Sequence, residues 1–346
     1  MTVPLTMTMG ERVEQDRPLL DVANVTLDVV RGAHRQAGLV EEVSFDVAAG
    51  ETVALIGESG CGKTMTAMAV LGLLPDAVRV SSGSVAIDGI ELIGASRSTV
   101  RAVRGSTIGA IFQDPMSSLD PTMTIGDQIA ESRRIHLQES KRTARVAAIE
   151  LLERVGIPNP RQRAKAYPHE FSGGMQQRAM IAAAIACDHK LLIADEPTTA
   201  LDVTVQAEIL ELLADLQSWS GMGILLVTHD LGVVAEVADR VVVMYAGHVV
   251  ERAHTSELFT DAAHPYTAAL LASVPQAGVP HVPLEVIKGR VPPAGSFPHG
   301  CRFHPRCPHA REPDCTTTPI ALRAIGAEHV ARCVLVSDPT TAGVRA

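Results

Sequence analysis

The stretch GESGCGKT, residues 57–64, constrains the fold of this chain more than any other. It fits the phosphate-loop pattern of a glycine, four residues and Gly-Lys-Ser/Thr, and it lies between the apolar run VALI and the helically spaced run TMTAMAVLGLLP. Strand, glycine loop and helix is the order of a phosphate-binding βα unit. In such a loop backbone N–H groups turn inward on the β-phosphate, the lysine spans the β- and γ-phosphates, and the hydroxyl ligates Mg²⁺. The pattern predicts that eight residues bind a nucleotide: Gly57, Glu58, Ser59, Gly60, Cys61, Gly62, Lys63 and Thr64, with Thr64 also on Mg²⁺.

Short apolar runs later in the chain predict the sheet to which this loop belongs. KLLIAD (residues 190–195) and GILLVTH (223–229) are continuous apolar strands, and a helical run, residues 203–219, separates them. Continuous apolar strands that alternate with helices are typical of a parallel sheet covered on both faces. The chain is therefore expected to have an α/β fold.

Two acids follow the first of these strands. Asp195 is placed to hold Mg²⁺, directly or through water, and Glu196 is placed to polarise an attacking water as general base. Taken alone, the pair is equally well an ordinary solvated strand terminus. His229 ends the next strand, although a lone histidine is more often a satisfied core residue.

Further motifs give these residues a context. FSGGMQQR (171–178) precedes LLIADE by one helix of small apolar residues, AIFQDP contains Gln113, and Ala200-Leu201-Asp202 follows the two acids. With the phosphate loop and His229, the set resembles the ATP-binding subunit of ABC transporters across residues 19–258. FSGGMQQR resembles that family's signature loop and AIFQDP its Q-loop. Ala200-Leu201-Asp202 resembles its D-loop, and His229 its switch histidine.

The resemblance implies a P-loop NTPase core of the ABC type, with an antiparallel β subdomain and a helical subdomain, that binds ATP and Mg²⁺ and hydrolyses ATP. It implies that Glu196 is the catalytic base and that His229 contacts the γ-phosphate. Gln113 would help Thr64 and Asp195 to hold Mg²⁺ and to place the water. A signature loop closes over ATP held by a partner subunit, and a helix N-terminus with free N–H groups is an anion site on physical grounds as well. Four more residues are therefore expected to bind ATP: Ser172, Gly173, Gly174 and Asp202.

The composition narrows the function classes. Of 346 residues, 46% are hydrophobic and 20% charged, enough apolar material for a buried core. The apolar runs are shorter than the roughly 18 residues that a membrane-spanning helix needs. A net charge of −9 disfavours a general nucleic-acid binder. The N-terminal stretch lacks the pattern of a secretion signal, so we expect the cysteines to lie in a reducing compartment.

Several stretches resemble the oligopeptide/dipeptide importer branch of the family: IFQDPMSSLDPTMTIGDQIAE, YPHEFSGGM, AHPYTAALLASVP and the ending GCRFHPRCPHAREPDC. The resemblance implies an ATPase subunit bound peripherally at the cytoplasmic face of the cell membrane. Its partners would be a second ABC ATPase subunit (a copy or a paralogue), two permease subunits and, indirectly, an extracytoplasmic substrate-binding protein, with no nucleic acid. The alternative is a soluble ABC ATPase acting on nucleic acid or translation. Such proteins tend to carry two ATPase domains on one chain, whereas this chain has one set of motifs.

Four cysteines stand close together near the end of the chain: Cys301, Cys307, Cys315 and Cys333. In a reducing compartment clustered thiols more often hold metal. Four thiolates suit a 4Fe-4S cluster or Zn²⁺. Structural zinc more often uses ligand pairs about two to four residues apart, and none occurs here, so the spacing favours the iron–sulfur cluster. Four free thiols remain an alternative.

These patterns divide the chain into three parts. A polar tail, residues 1–18, precedes an ATPase domain, residues 19–258, whose helical insert covers about 114–180. A Pro- and Cys-rich extension, residues 259–346, carries the four-cysteine metal site, and its prolines predict short helices only. No aromatic residue lies between Leu19 and Ser44, where the family usually stacks adenine, so an apolar side chain or Arg31 is expected there.

Overall fold

The computed structural model describes residues 17–31, 34–114, 118–199, 201–273 and 287–336, without the side chains of 31 and 34–37. Most of the predicted polar tail, residues 1–18, and Ala200 of the predicted D-loop lie outside the described residues.

An antiparallel sheet forms one layer, in the order β2-β1-β4-β5. Its strands are β1 (Leu20–Arg31), β2 (His34–Val47), β4 (Val78–Ile87) and β5 (Ile90–Glu91). Alternate apolar side chains of β1, such as Leu20, Val22, Val25 and Leu27, face the core and are almost fully buried. This sheet is the antiparallel β subdomain that the resemblance implied.

In the described residues, the central sheet has eight strands in the order β11-β12-β10-β9-β3-β8-β7-β6. Five are parallel: β3 (Thr52–Ile56), β6 (Ile108–Ile111), β7 (Leu191–Asp195), β8 (Gly223–Val227) and β9 (Arg240–Tyr245). Three antiparallel strands extend its edge: β10 (His248–His254), β12 (Val330–Ala331) and β11 (Arg323–Ala324). Every residue of β3, β7 and β8 is buried, as continuous apolar strands require.

Two helices flank the start of the ATPase core, α1 (Lys63–Leu71) and α2 (Arg97–Ser106). The helical insert comprises α3 (Ile125–His136), α4 (Lys141–Arg154), α5 (Pro160–Arg163), a 3₁₀ turn (Pro168–Glu170) and α6 (Gly173–Ala184). The later helices are α7 (Val203–Ser220), α8 (Leu231–Val237), α9 (Thr255–Thr260) and α10 (Pro265–Ala272), followed by a 3₁₀ turn (His304–Arg306). No helix of the described ranges is both long and apolar enough to cross a membrane.

Side-chain caps explain where several helices begin. The side chains of Thr124, Ser140, Ser172 and Asp202 each accept a hydrogen bond from the backbone N–H three residues on. Such caps satisfy backbone donors that a helix N-terminus leaves free. The start of α6 is thereby determined by the serine of the signature loop itself.

The core has three parts. One lies among the insert helices and α7, a second joins the antiparallel sheet to β3 and α1, and a third lies between β9, β10 and α8 to α10. Phe303 and Tyr266, both from beyond residue 258, are fully buried in the third part. The described C-terminal residues therefore pack onto the central sheet and lengthen it.

Candidate functional site

Three glycines of the phosphate loop, Gly57, Gly60 and Gly62, have positive φ values that other residues rarely adopt. Gly57 has a φ of +146°, and a Cβ there would lie 2.2 Å from the Met244 carbonyl oxygen. Gly62, with a φ of +111°, immediately precedes α1. The Lys63 ammonium is buried in the loop and donates to the carbonyl oxygens of Gly57 (2.6 Å) and Glu58 (3.3 Å). The outer residues Ser59, Gly60 and Thr64 are exposed, whereas Cys61 is buried.

Asp195 lies at the end of β7, only 8% exposed, and its Oδ1 is buried without a hydrogen-bond partner among the described residues. The Thr64 side chain lies close to this carboxylate. Burial, and next the charge of Glu196, raise the pKa of Asp195. A buried carboxylate oxygen without a partner is costly, and a cation satisfies it. Hard oxygen donors of this kind suit Mg²⁺, so the residues present fit that ion.

Three side chains converge on the carboxylate of Glu196. Gln113 Nε2 donates to its Oε2 at 2.8 Å, and the Thr199 hydroxyl donates to the same oxygen at 2.9 Å. His229 Nδ1 lies 3.0 Å from Oε1. Burial favours the neutral acid, but the hydrogen bonds from Thr199 and His229 lower the pKa of Glu196 on balance. The carboxylate is thus held ionised and oriented, as a general base must be.

The structure brings together three of the sequence-predicted catalytic residues, Gln113, Glu196 and His229, and adds Thr199. The side chain of His229 is 59% exposed, so this residue is not a buried core histidine. Gln113 binds Glu196 through its amide nitrogen, which leaves its amide oxygen for a metal or water. The sequence does not predict a role for Thr199, because a threonine three residues after an acid belongs to no known catalytic motif.

The start of the signature helix α6 is capped and exposed to solvent. Ser172 caps α6 by accepting from the Met175 N–H at 3.4 Å, and Ser172 and Gly173 are exposed. Within the described ranges no hydrogen bond joins residues 172–174 to residues 57–64. Buried Gln177, farther along α6, donates to the Pro197 carbonyl oxygen at 2.5 Å and so connects this helix to the loop after Glu196.

Asp202 is exposed and caps α7, with its Oδ1 accepting from the Val205 N–H at 2.9 Å. The predicted adenine contact at Arg31 falls on a side chain outside the described residues.

The four cysteines of the C-terminal region are all free and line one small pocket with His304 and His309. Backbone N–H groups of Arg311 and Leu335 lie 3.4 Å from the sulfurs of Cys315 and Cys333. Burial raises the pKa of the Cys301 thiol to about 11. Among the described residues, however, no group of three or more His, Cys, Asp or Glu side chains is placed to hold a metal ion. The arrangement thus gives no support to the predicted 4Fe-4S or Zn²⁺ site beyond bringing the cysteines together.

Comparison with known proteins matches two families. The sequence profile of the ABC transporter family matches residues 40–199, and that of the oligopeptide/dipeptide transporter C-terminal region matches residues 250–315. The oligopeptide transport ATP-binding protein AppD of Bacillus subtilis is 47% identical over 86% of this chain and 91% of its own length. The dipeptide transport ATP-binding protein DppD of the same organism is 49% identical over 78% of this chain and 81% of its own.

A solved structure agrees with the fold. The dimeric ATP-binding cassette MJ0796, bound to ADP and Pi in a post-hydrolysis state, has a TM-score of 0.61 and 27% identity, and the match covers 68% of this chain and 98% of that one. The α/β core, the antiparallel sheet and the helical insert are thereby confirmed as those of an ABC cassette. With the phosphate loop, Asp195 and Glu196 in place, this chain belongs to the ABC transporter ATPase family, in the branch with the oligopeptide/dipeptide transporter C-terminal region.

Proposed function

We propose that this chain hydrolyses ATP to drive the import of oligopeptides or dipeptides through a membrane ABC importer. The observation that carries the proposal is the convergence of Gln113, Thr199 and His229 on Glu196, next to Asp195, whose buried Oδ1 has no hydrogen-bond partner in the described part of the chain. The substrate class rests on the C-terminal region and on the names of the relatives, since an ATPase site does not contact the transported peptide.

In the proposed mechanism the chain positions reactants and stabilises charge. Lys63 neutralises charge on the β- and γ-phosphates, and Thr64 and Asp195 hold Mg²⁺, with the Gln113 amide oxygen as a third donor. Mg²⁺, when bound, offsets negative charge on the phosphate oxygens. Glu196 accepts a proton from the attacking water while Thr199 and Gln113 orient its carboxylate. His229, exposed at the site, contacts the γ-phosphate.

A second ATPase subunit, a copy or a paralogue, is proposed to complete each site. The exposed serine and glycines at residues 172–174, together with Asp202, would contact ATP held by the partner's phosphate loop. A helix N-terminus presents free backbone N–H groups that can bind an anion. Among the described hydrogen bonds, none joins residues 172–174 to the phosphate loop of the same chain. The dimeric state of the solved cassette supports this arrangement.

A cleft of about 470 Å³ beside the Q-loop is proposed to receive a permease subunit. It lies between β6, α2 and α3, and its lining includes Phe112, directly before Gln113, and apolar side chains from the insert such as Leu119 and Met123. Glu131 at its rim is exposed. A permease subunit bound in this cleft would lie next to Gln113, so a movement of the permease could shift the side chain that binds Glu196. Reversing this charge, Glu131→Arg, should reduce co-purification with the permease, whereas Glu150→Arg, exposed on α4, should not.

The four cysteines are proposed to hold a 4Fe-4S cluster, with Zn²⁺ as the alternative. A single Zn²⁺ with Zn–S bonds of about 2.3 Å needs its four sulfurs within about 4 Å of one another. A cluster binds each thiolate through a different iron and holds the sulfurs farther apart. The proposal of a cluster rests on the sequence spacing, which lacks the close ligand pairs typical of structural zinc. The role of the cluster would be to cross-link a loop with little apolar content. Iron and acid-labile sulfide in anaerobically purified protein, lost in Cys307→Ser, would support this; protein without iron, sulfide or zinc would refute it.

We place the domain boundaries at residues 18 and 258, with the helical insert at about 114–180, and the chain at the cytoplasmic face of the membrane as a peripheral subunit. The competing function, a soluble ABC ATPase acting on nucleic acid or translation, finds no support in the relatives.

The decisive experiment compares Glu196→Gln with the wild type. The variant should bind MgATP with unchanged affinity, lose ATP turnover and accumulate as a nucleotide-bound dimer, because the base is removed while the phosphate contacts remain. Uptake of labelled dipeptides and longer peptides by cells should fail in parallel. Normal turnover by this variant would contradict the base assignment, and unaffected peptide uptake would contradict the transport role.

A further inference from the structure

Glu58, the second residue of the phosphate loop, is held from outside the ATPase core through both its backbone and its side chain. Its N–H donates to the Tyr266 hydroxyl at 2.9 Å. Its carboxylate accepts two hydrogen bonds from Arg306, from Nη1 to Oε1 at 2.9 Å and from Nη2 to Oε2 at 3.1 Å. Paired guanidinium–carboxylate bonds of this kind are strong and orient both groups. Two residues that lie 208 and 248 positions further along the chain therefore hold Glu58.

Tyr266 is tightly packed. It lies on α10 and is fully buried, with its ring centroid 4.7 Å from that of Tyr245 and 5.3 Å from that of Phe303. Burial raises the pKa of its phenol, so the hydroxyl stays neutral. A hydroxyl fixed in this way is a rigid acceptor for the Glu58 N–H.

Arg306 is equally constrained, because its side chain is only 6% exposed. Its Nε donates to the Lys288 carbonyl oxygen at 2.8 Å, and Nη1 lies 3.3 Å from the Tyr245 hydroxyl. An arginine with its donors shared among several partners holds one orientation, which distinguishes this ion pair from a mobile pair on the surface.

The position of Glu58 matters for nucleotide binding because of Lys63. The Lys63 ammonium donates to the carbonyl oxygens of Gly57 and Glu58, the peptide groups on either side of the Glu58 Cα. We propose that Tyr266 and Arg306 are positioning residues for the nucleotide site, which hold the phosphate loop and Lys63 in the binding conformation through Glu58. The C-terminal region is then part of the machinery for ATP binding. This inference rests on the proposed binding of ATP at residues 57–64.

A loop that is already shaped for phosphate loses less freedom when the nucleotide binds. Loss of either contact should therefore weaken binding, and it should leave turnover at saturating ATP nearly unchanged because Glu196 and its partners are not involved. Tyr266→Phe removes only the hydroxyl, and Arg306→Lys keeps the charge but not the fork. In the full chain, each should raise the Kd for MgATP and the KM about tenfold, the effect of one or two hydrogen bonds, with kcat within about twofold.

Three comparisons separate positioning from simple anchoring. Glu58→Gln should weaken binding as much as Arg306→Lys, and the double variant should add little, because both act through one contact. Arg290→Lys, an exposed arginine in the same region, should bind MgATP normally. Tyr266→Phe and Arg306→Lys should remain fully folded at the assay temperature, although the loss of a buried hydrogen bond lowers their melting temperatures.

Unchanged Kd in Tyr266→Phe and Arg306→Lys would overturn the inference, as would weaker binding that a smaller fraction of folded protein accounts for in full. Failure of the wild type itself to bind MgATP, or full binding by Lys63→Ala, would instead overturn the proposed function on which the inference rests.

Discussion

Glu251 provides a sharp test of what attaches the C-terminal region to the ATPase core. Its carboxylate, in the middle of β10, is fully buried. It accepts hydrogen bonds from the Ala263 N–H (2.7 Å), the His264 N–H (2.9 Å) and His329 Nε2 (2.8 Å). The first two donors lie at the start of the region and the third lies beside β12 near its end. One side chain therefore holds both ends of the segment.

The size of the effect of Glu251→Gln follows from these contacts. Both carboxylate oxygens are used, so an amide NH₂ must face at least one donor, and the charge that pairs with His329 is lost. A hydrogen bond to a charged group contributes about 1.5–3 kcal/mol, and a buried donor without a partner costs about 1–3 kcal/mol. We expect the free energy of local opening of this region to fall by about 3 kcal/mol. At about 1.4 kcal/mol for each factor of ten, this raises the opening equilibrium roughly 100-fold.

Amide hydrogen exchange measures this opening directly. Peptides that cover residues 260–272 and 323–334 should exchange roughly 100-fold faster in Glu251→Gln, while peptides from β7 should keep their protection. Glu328→Gln is the matched control, because Glu328 also pairs with a histidine, His254, at 3.0 Å, but both side chains are about half exposed. An exposed pair contributes about 0–1 kcal/mol, so this control should change exchange less than about fivefold. Equal exchange in the two variants would refute the reasoning.

Three further predictions concern pH, the loop backbone and the base. The hydrogen bond with Glu251 raises the folded-state pKa of His329. The stabilisation that this pair gives the folded state is therefore complete below the unfolded pKa of about 6.5 and is lost as pH rises through the folded pKa. The difference in unfolding free energy between the wild type and His329→Asn should shrink as pH rises, and a constant difference would contradict the pair. Gly57→Ala places a Cβ 2.2 Å from the Met244 carbonyl oxygen at a φ of +146°. The substitution should lower the free energy of unfolding, measured by thermal denaturation, by about 1–3 kcal/mol and abolish nucleotide binding. A variant that binds MgATP normally would show that the loop adapts. Thr199→Val removes a hydrogen bond that lowers the pKa of Glu196, so the acid limb of the pH profile of kcat should move up by up to about one pH unit. Thr199→Ser should return the acid limb to its wild-type position. An acid limb that does not move in Thr199→Val would exclude a role for Thr199.

The prediction of a metal site at the four cysteines shows where sequence spacing stops being informative. The spacing predicted convergence, and all four cysteines do line one pocket. Whether the four thiols surround an ion depends on sulfur positions that differ by only a few ångströms. The spacing of the cysteines in the sequence does not specify these positions. The described side chains are not placed around one ion.

Sequence motifs alone predict the ABC cassette, with its phosphate loop, its two acids and the helix that starts at the signature loop. These features are local, because glycine torsions, apolar strands and caps depend on residues within a few positions of one another. Which side chains meet depends on tertiary packing. Gln113 and His229 reach Glu196 from 83 and 33 positions away, and Tyr266 and Arg306 reach Glu58 from 208 and 248. Such contacts follow from how strands and helices pack, and no short motif records that packing.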